Sequence, residues 1–336
     1  MTAAALYIRT TAVDGSGDGT VDVDSGSGTA YAYKSMALFD AGAAASLTQN
    51  MVVTCYGNSS NKDTTQVDYT SPWGTSTYTL TIKNHPDQIT NGVWNDNYYI
   101  YSRQADYSYG IRFNVNAISR FYLQGLQLEI TTANSTIIHL LSRTWILGNI
   151  LRATGAGSNK KAIDMRSVGR FVVTNNVFYD FNEYAIRGGM TFSSGYYAAL
   201  YNNTICDSLK AIHLDISGAG VYAKNNLMQG VSTTLWVQDA TPNATSATNI
   251  TEDATSPQGA SYRNIAVTFT DETGNNFASA DAAVVGVGTD LRTDADGKYS
   301  FTTDILGVDR PAAAWDIGAF QKVAAAGNPY HYRMNQ

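Results

Sequence analysis

The chain has 336 residues, a formal net charge of −6, 15% charged side chains, 29 glycines and 6 prolines. A negative chain of this kind argues against broad electrostatic attraction to nucleic acid or to an anionic membrane. No apolar run approaches the roughly 20 residues needed to cross a bilayer, so no membrane span is expected.

The amino terminus, MTAAALYIRTTAVDG, lacks a basic segment followed by a long apolar one, so no signal peptide is expected. LYIRT reads as a strand. The loop DGSGDGTVDVDSGSG (14–28) sets Asp14, Asp18, Asp22 and Asp24 among glycines, a weak candidate for calcium. It lacks the EF-hand spacing, so a bare acidic turn is the simpler expectation and no cofactor is required. TAYAYKSMALFDAGAAAS then places Tyr33, Met36, Ala37 and Asp40 at helical spacing, which predicts a short helix. Residues 1–50 are therefore expected to form an N-terminal strand and a capping helix.

VWNDNYYIYSRQADYSYG (93–110) is dense in tyrosine: Tyr98, Tyr99, Tyr101, Tyr107 and Tyr109. These rings are either interface anchors or the covering of a wide early rung.

Beyond it the chain repeats. Ile111, Ile138, Ile163, Ile186, Ile212 and Leu235 recur at gaps of 23 to 27 residues. The residues two further on, Phe113, Leu140, Met165, Leu214 and Val237, are apolar, and only Gly188 breaks the alternation of strands with one buried face. A second series recurs as Gly148-Asn149, Asn175-Asn176, Asn202-Asn203 and Asn225-Asn226. Asparagine tolerates the left-handed backbone, so each pair reads as a sharp corner. Stacked corners allow their amides to bond from rung to rung. A repeat of this size cannot bury its apolar face alone, which predicts a parallel β-solenoid with rungs over 51–245. The last coils and a C-terminal cap follow over 246–336. Cys55 and Cys206 lie far apart in the rung order and are expected to be reduced.

With this repeat the chain resembles the right-handed parallel β-helix, or pectate-lyase-like, superfamily over roughly residues 50–320. The segment DILGVDRPAAAWDIGAFQ (304–321) is similar to a tail segment of bacterial and phage β-helix proteins, and the start LYIRTTAVDGSGDG has the same style. The resemblance implies an all-β right-handed parallel β-helix with a short N-terminal capping helix and a β-rich C-terminal cap.

Between the two inward columns lies one outward column: Arg112, His139, Asp164, Arg187, His213 and Trp236. Asn114, Arg166, Asp215 and Gln238 would lie beside it. In the enzymes this fold resembles, polysaccharide lies along such a sheet. Lyases there use calcium with an Arg or Lys base, and hydrolases use several carboxylates. Asp164, Arg187, His213 and Asp215 are therefore the catalytic candidates, and the first column is the candidate binding strip. Hydrolysis asks for two carboxylates about 5 to 9.5 Å apart, but the Gly-His-Gly and paired-Asp signatures of polygalacturonase-like enzymes are absent. A solvated polar face needs no ligand at all. Trp236, Tyr179, Tyr196 and Tyr197 offer flat faces for stacking on sugars.

The expected function is a structural or receptor- and glycan-binding component of a bacteriophage particle, of tail-fibre, tailspike or head-decoration type. The resemblance implies assembly in the host cytoplasm and display on the virion surface. Its partners would be other virion proteins or a bacterial surface polysaccharide, with the chain a homotrimer or a monomer on a larger assembly. The alternatives are a polysaccharide-degrading enzyme, lyase or glycoside hydrolase, and a surface adhesin.

Overall fold

The computed structural model describes residues 4–12, 19–22, 32–43, 49–58, 60–69, 78–88, 92–105, 109–114, 120–166, 169–189, 195–214, 220–230, 234–238, 242–313 and 315–322. Three parallel sheets of eight, seven and seven strands form a right-handed β-helix. Each rung runs through the first sheet, turns at the asparagine corner into the second, and crosses a longer turn into the third. Thr144, for example, lies opposite Phe121 on one side and Phe171 on the other.

The isoleucine column is continuous in the third sheet from Ile111 through Ile138, Ile163 and Ile186 to Ile212. It meets inward residues of the other sheets, such as Ile146, Val173 and Leu200 from the first and Leu151, Phe178 and Ile205 from the second. Each buried side chain of this kind contributes roughly 1.5–3 kcal/mol relative to exposure, so the shared core holds the rungs together. Gly188 is no defect in the column: a Cβ there would stand 3.1 Å from Leu214 Cδ2.

The last rung differs from expectation. Ile212 lies opposite Trp236, not Leu235, so Trp236 belongs to the inward column and only 3% of it is exposed. Leu235 and Trp236 are both apolar, which leaves the alternation with two phases, and a one-residue slip exchanges the faces.

The corner asparagines divide the work. Asn175, Asn202 and Asn225 hold φ of 56°, 51° and 57°, the left-handed region, with Gly148 at 63° in the same position. The following residues, Asn149, Asn176, Asn203 and Asn226, are fully buried and form an amide ladder. Asn149 Nδ2 donates to Asn176 Oδ1 (3.1 Å), Asn176 Nδ2 to Asn203 Oδ1 (3.0 Å) and Asn203 Nδ2 to Asn226 Oδ1 (2.9 Å). Asn249 extends the ladder by one rung, accepting from Asn226 Nδ2 at 2.7 Å.

At the amino end, the helix Met36–Ala43 is capped by Ser35, whose Oγ accepts the Leu38 N–H at 3.2 Å. Its Met36 and Phe39 are fully buried against the first rungs. The Met36 N–H also donates to Asp63 Oδ2 (2.7 Å), which accepts the Tyr99 hydroxyl as well (2.8 Å). Tyr99 and Tyr101 lie fully inside the coil, so these members of the tyrosine-rich segment cover an early rung; Tyr107 lies outside the described residues.

Burial pushes the Asp63 carboxyl up from 3.8 to about 6, against the opposing hydrogen bonds from Met36, Tyr99 and Thr65. The folded state therefore holds this proton more tightly than the unfolded chain. The stability it contributes is complete below about pH 3.8 and is lost as pH rises through about 6. We expect Asp63→Asn to remove a fall in unfolding free energy on the order of 2–3 kcal/mol between acid and neutral pH. Urea unfolding of wild type and variant across that range checks this, and parallel curves would exclude it.

At the other end, residues 252–258 close the last rung. The Leu235 N–H donates to Asp253 Oδ2 (2.6 Å) and the Trp236 N–H to Thr255 Oγ1 (2.9 Å). An antiparallel pair, Phe269–Asp271 with Asn276–Ser279, follows. The chain then turns back along the outside as a strap. Its Phe269, Phe277, Ile305 and Phe320 cover Ile150, Val177, Leu227 and Ile250 on the outer face of the second sheet. Its Leu291 and Trp315 cover Val172, Ala199 and Tyr201 on the first. The C-terminal segment is thus an end cap and a flank covering together. Cys55 and Cys206 are buried free thiols.

Candidate functional site

The strap leaves the outer face of the third sheet open. There the register aligns Asp68, Arg112, His139, Asp164, Arg187, His213 and Val237 in one column. Five of the six expected residues are in place, and Val237 stands where Trp236 was expected. Asp68 begins the column; its strand, Val67–Tyr69, is too short to carry a periodic signal.

Arg112 is held by Asp68 through Nε–Oδ1 (2.7 Å) and a second contact from Nη2, and its guanidinium lies 4.6 Å from the Tyr109 ring centre. Asp164 accepts Arg166 Nε on both oxygens at 2.8 Å. Between these pairs sits His139, its ring 5.4 Å from that of Tyr109 and its Nε2 buried with no hydrogen-bond partner. Burial holds its imidazole below the usual histidine range, with the Arg166 and Arg112 charges working the same way against Asp164. The ring is accordingly neutral near pH 7. Tyr109, Asn134, His139, Asp164 and Arg166 line an open groove of about 410 Å³.

Farther along, Arg187 Nη1 donates to the Tyr184 hydroxyl (3.2 Å) and lies over that ring at 5.4 Å. His213 meets the edge of the same ring at 6.2 Å. Tyr184 therefore organises the second half of the column as Tyr109 does the first.

Among the described residues the register brings no two carboxylates of this column onto adjacent rungs. Asp215 lies outside the described residues. Asp68 and Asp164 stand three rungs apart, about 14 Å at the usual strand spacing, beyond the range of paired glycosidase carboxylates. Each is also committed to an arginine.

Of the acidic N-terminal loop, only Asp22 of the four calcium candidates is among the described residues. Asp14, Asp18 and Asp24 lie outside the described residues, and Asp22 meets Arg9 Nη1 at 2.9 Å and His85 Nε2 at 3.0 Å. Among the described residues no group of three metal-ligating side chains converges. Of the aromatic faces expected to stack on sugars, Trp236 is interior and Tyr179 is buried against Phe277. Tyr197 is half-buried, its hydroxyl donating to Lys298 O at 3.0 Å.

Comparison of the chain with protein-family models, with curated proteins and with solved structures finds no match in any of the three. Among the described residues no helix is long and apolar enough to cross a membrane.

Proposed function

We propose that the protein is a non-catalytic, glycan-binding structural component of a bacteriophage particle, of tail-fibre, tailspike or head-decoration type. The saccharide, from a bacterial surface polysaccharide, lies along the outer face of the third sheet, and other virion proteins hold the chain as one subunit of a larger assembly. The observation that carries the binding role is the groove around His139. It is open, lined by a neutral imidazole, an amide and an internally neutralised Asp164–Arg166 pair, and edged by the Tyr109 ring. Such a surface offers hydrogen bonds and one flat face without strong net charge, which suits hydroxyl-rich sugars. Among the described residues, the separation of Asp68 from Asp164, each paired with an arginine, supports binding without cleavage. The viral setting rests on the resemblance of residues 304–321 and of the amino-terminal stretch to phage β-helix proteins.

Purified protein should bind members of a panel of bacterial capsular and plant acidic polysaccharides while releasing neither reducing ends nor unsaturated uronates. Asp164→Ala should weaken that binding about 10-fold or more, the scale of a lost charge-assisted hydrogen bond, and His139→Ala about 5-fold, the scale of a neutral one. The protein should also copurify with intact particles. Cleavage abolished by Asp164→Ala would instead establish a polysaccharide lyase or glycoside hydrolase, a reading favoured by the neutral His139 beside a carboxylate. Arg187, His213 and Asp215 would then be the next residues to replace.

A further inference from the structure

The first sheet carries a second outward column, independent of the third-sheet face. Thr79 pairs with Arg120, and Arg170 with Tyr197. Arg143 precedes Thr144, which lies between Phe121 and Phe171, so Arg143 falls between Arg120 and Arg170. Three arginines thus stand on consecutive rungs, about 4.8 Å apart. All three are exposed. Among the described residues no carboxylate lies within ion-pair distance of any of them, although the chain as a whole carries −6. Arg170 Nε donates to Gly195 O at 3.0 Å, and Arg120 rests over the Trp145 ring at 5.5 Å. Lys298, on the strap, adds a fourth cation over Tyr197 (5.2 Å) and Tyr222 (4.8 Å). Burial raises the Tyr197 phenol, with the Asp294 charge working the same way, and Arg170, Arg120 and Arg143 all pull it back, as expected where their fields overlap.

Like charges on adjacent rungs repel, and among the described residues no ion pair to any of the three arginines offsets that repulsion. Guanidinium forks are suited to carboxylates, which they hold by two parallel hydrogen bonds. We infer that Arg120, Arg143 and Arg170, with Lys298 beside them, form a binding site for an acidic polysaccharide. A linear chain whose carboxylates recur along its length can place them on successive guanidinium groups. A polynucleotide fits less well. The Trp145, Tyr197 and Tyr222 rings already carry cations on faces where bases would stack.

The test is calorimetric titration of the full chain with an oligogalacturonate, with neutral dextran as comparator. Uronate binding is expected, dextran heat is not, and affinity should fall as NaCl rises from about 50 to about 300 mM. Arg143→Glu should weaken uronate binding about 10-fold or more while leaving the thermal midpoint unchanged, because the side chain is exposed. Arg170→Gln serves as a second variant, with the same direction expected. Uronate binding unaltered by both variants, or no binding at low salt, would overturn the site. Displacement of the uronate by a lower concentration of single-stranded DNA of equal charge would overturn the choice of ligand.

Discussion

Replacing Asn203 by leucine is expected to lower the unfolding free energy by about 3–5 kcal/mol, because several buried polar partners are stranded at once. Asn203 is fully buried. Its Oδ1 accepts the Asn176 backbone N–H (3.1 Å) and Asn176 Nδ2 (3.0 Å). Its Nδ2 donates to Val173 O (2.8 Å) and to Asn226 Oδ1 (2.9 Å). Leucine is close in volume, so packing changes little. The loss is polar: a backbone N–H and a carbonyl oxygen are left inside the corner, at about 1–3 kcal/mol each. Asn203→Asp should be at least as damaging, since it turns a second acceptor toward Val173 O and Asn226 Oδ1. The outer member of a pair behaves differently. Asn175→Gly keeps a backbone suited to φ of 56° and gives up only its bonds to the strap, so about 1–2 kcal/mol is expected. Urea unfolding monitored together with hydrogen exchange separates the two, because stacked rungs need not open as one unit. A loss below about 1 kcal/mol for Asn203→Leu would mean that strand pairing alone sets the corner.

Arg310→Ala is expected to release the strap, with a loss of about 3–5 kcal/mol from its closed state. The guanidinium is 3% exposed and reaches across the corner. Nη1 donates to Asp316 O (3.1 Å) and Gln321 Oε1 (3.3 Å), and Nη2 to Asn175 Oδ1 (3.1 Å) and Gly318 O (3.0 Å). It also lies 5.1 Å from the ring centre of Trp315, which is itself fully buried. Burial brings the guanidinium down to about 10, with Asp304 and Asp316 opposing. Alanine would take a donor from each of four acceptors, leave Asn175 Oδ1 with none, and open a void beside the tryptophan. Once the strap lifts, Ile150, Val177, Leu227 and Ile250 face water together. Limited proteolysis should then cut within 267–322 while the coil resists, and binding of a hydrophobic dye should rise. An uncut strap, or loss of the whole fold at the same denaturant concentration as the strap, would show that the strap and the coil form a single unit.

Much of the candidate face was legible because strand alternation is a local property. Arg112, His139, Asp164, Arg187 and His213 sit one residue after their isoleucines, so a correct period places them together on the outside. The period failed at Trp236, where two adjacent apolar residues satisfy either phase. Asn249 carried a usable signal, since it follows Asn226 by the same 23 residues that separate Asn226 from Asn203. The arginine column was harder to find, because Arg120, Arg143 and Arg170 precede their apolar runs and look like ordinary strand-entry residues.

What the sequence determined by itself was the coil: its rung length, its inward columns, its corners and the polar strip on the third sheet, all set by contacts between residues one rung apart. Only the tertiary structure decided that the C-terminal segment returns along the flank. That choice rests on bonds such as Asn202 Nδ2 to Asp316 O (3.0 Å) and Asn175 Nδ2 to Thr303 O (2.7 Å), between residues more than 100 positions apart. No period marks such partners, because a strap meets each rung once and with a different residue, whereas a rung meets its neighbour with the same pattern every time.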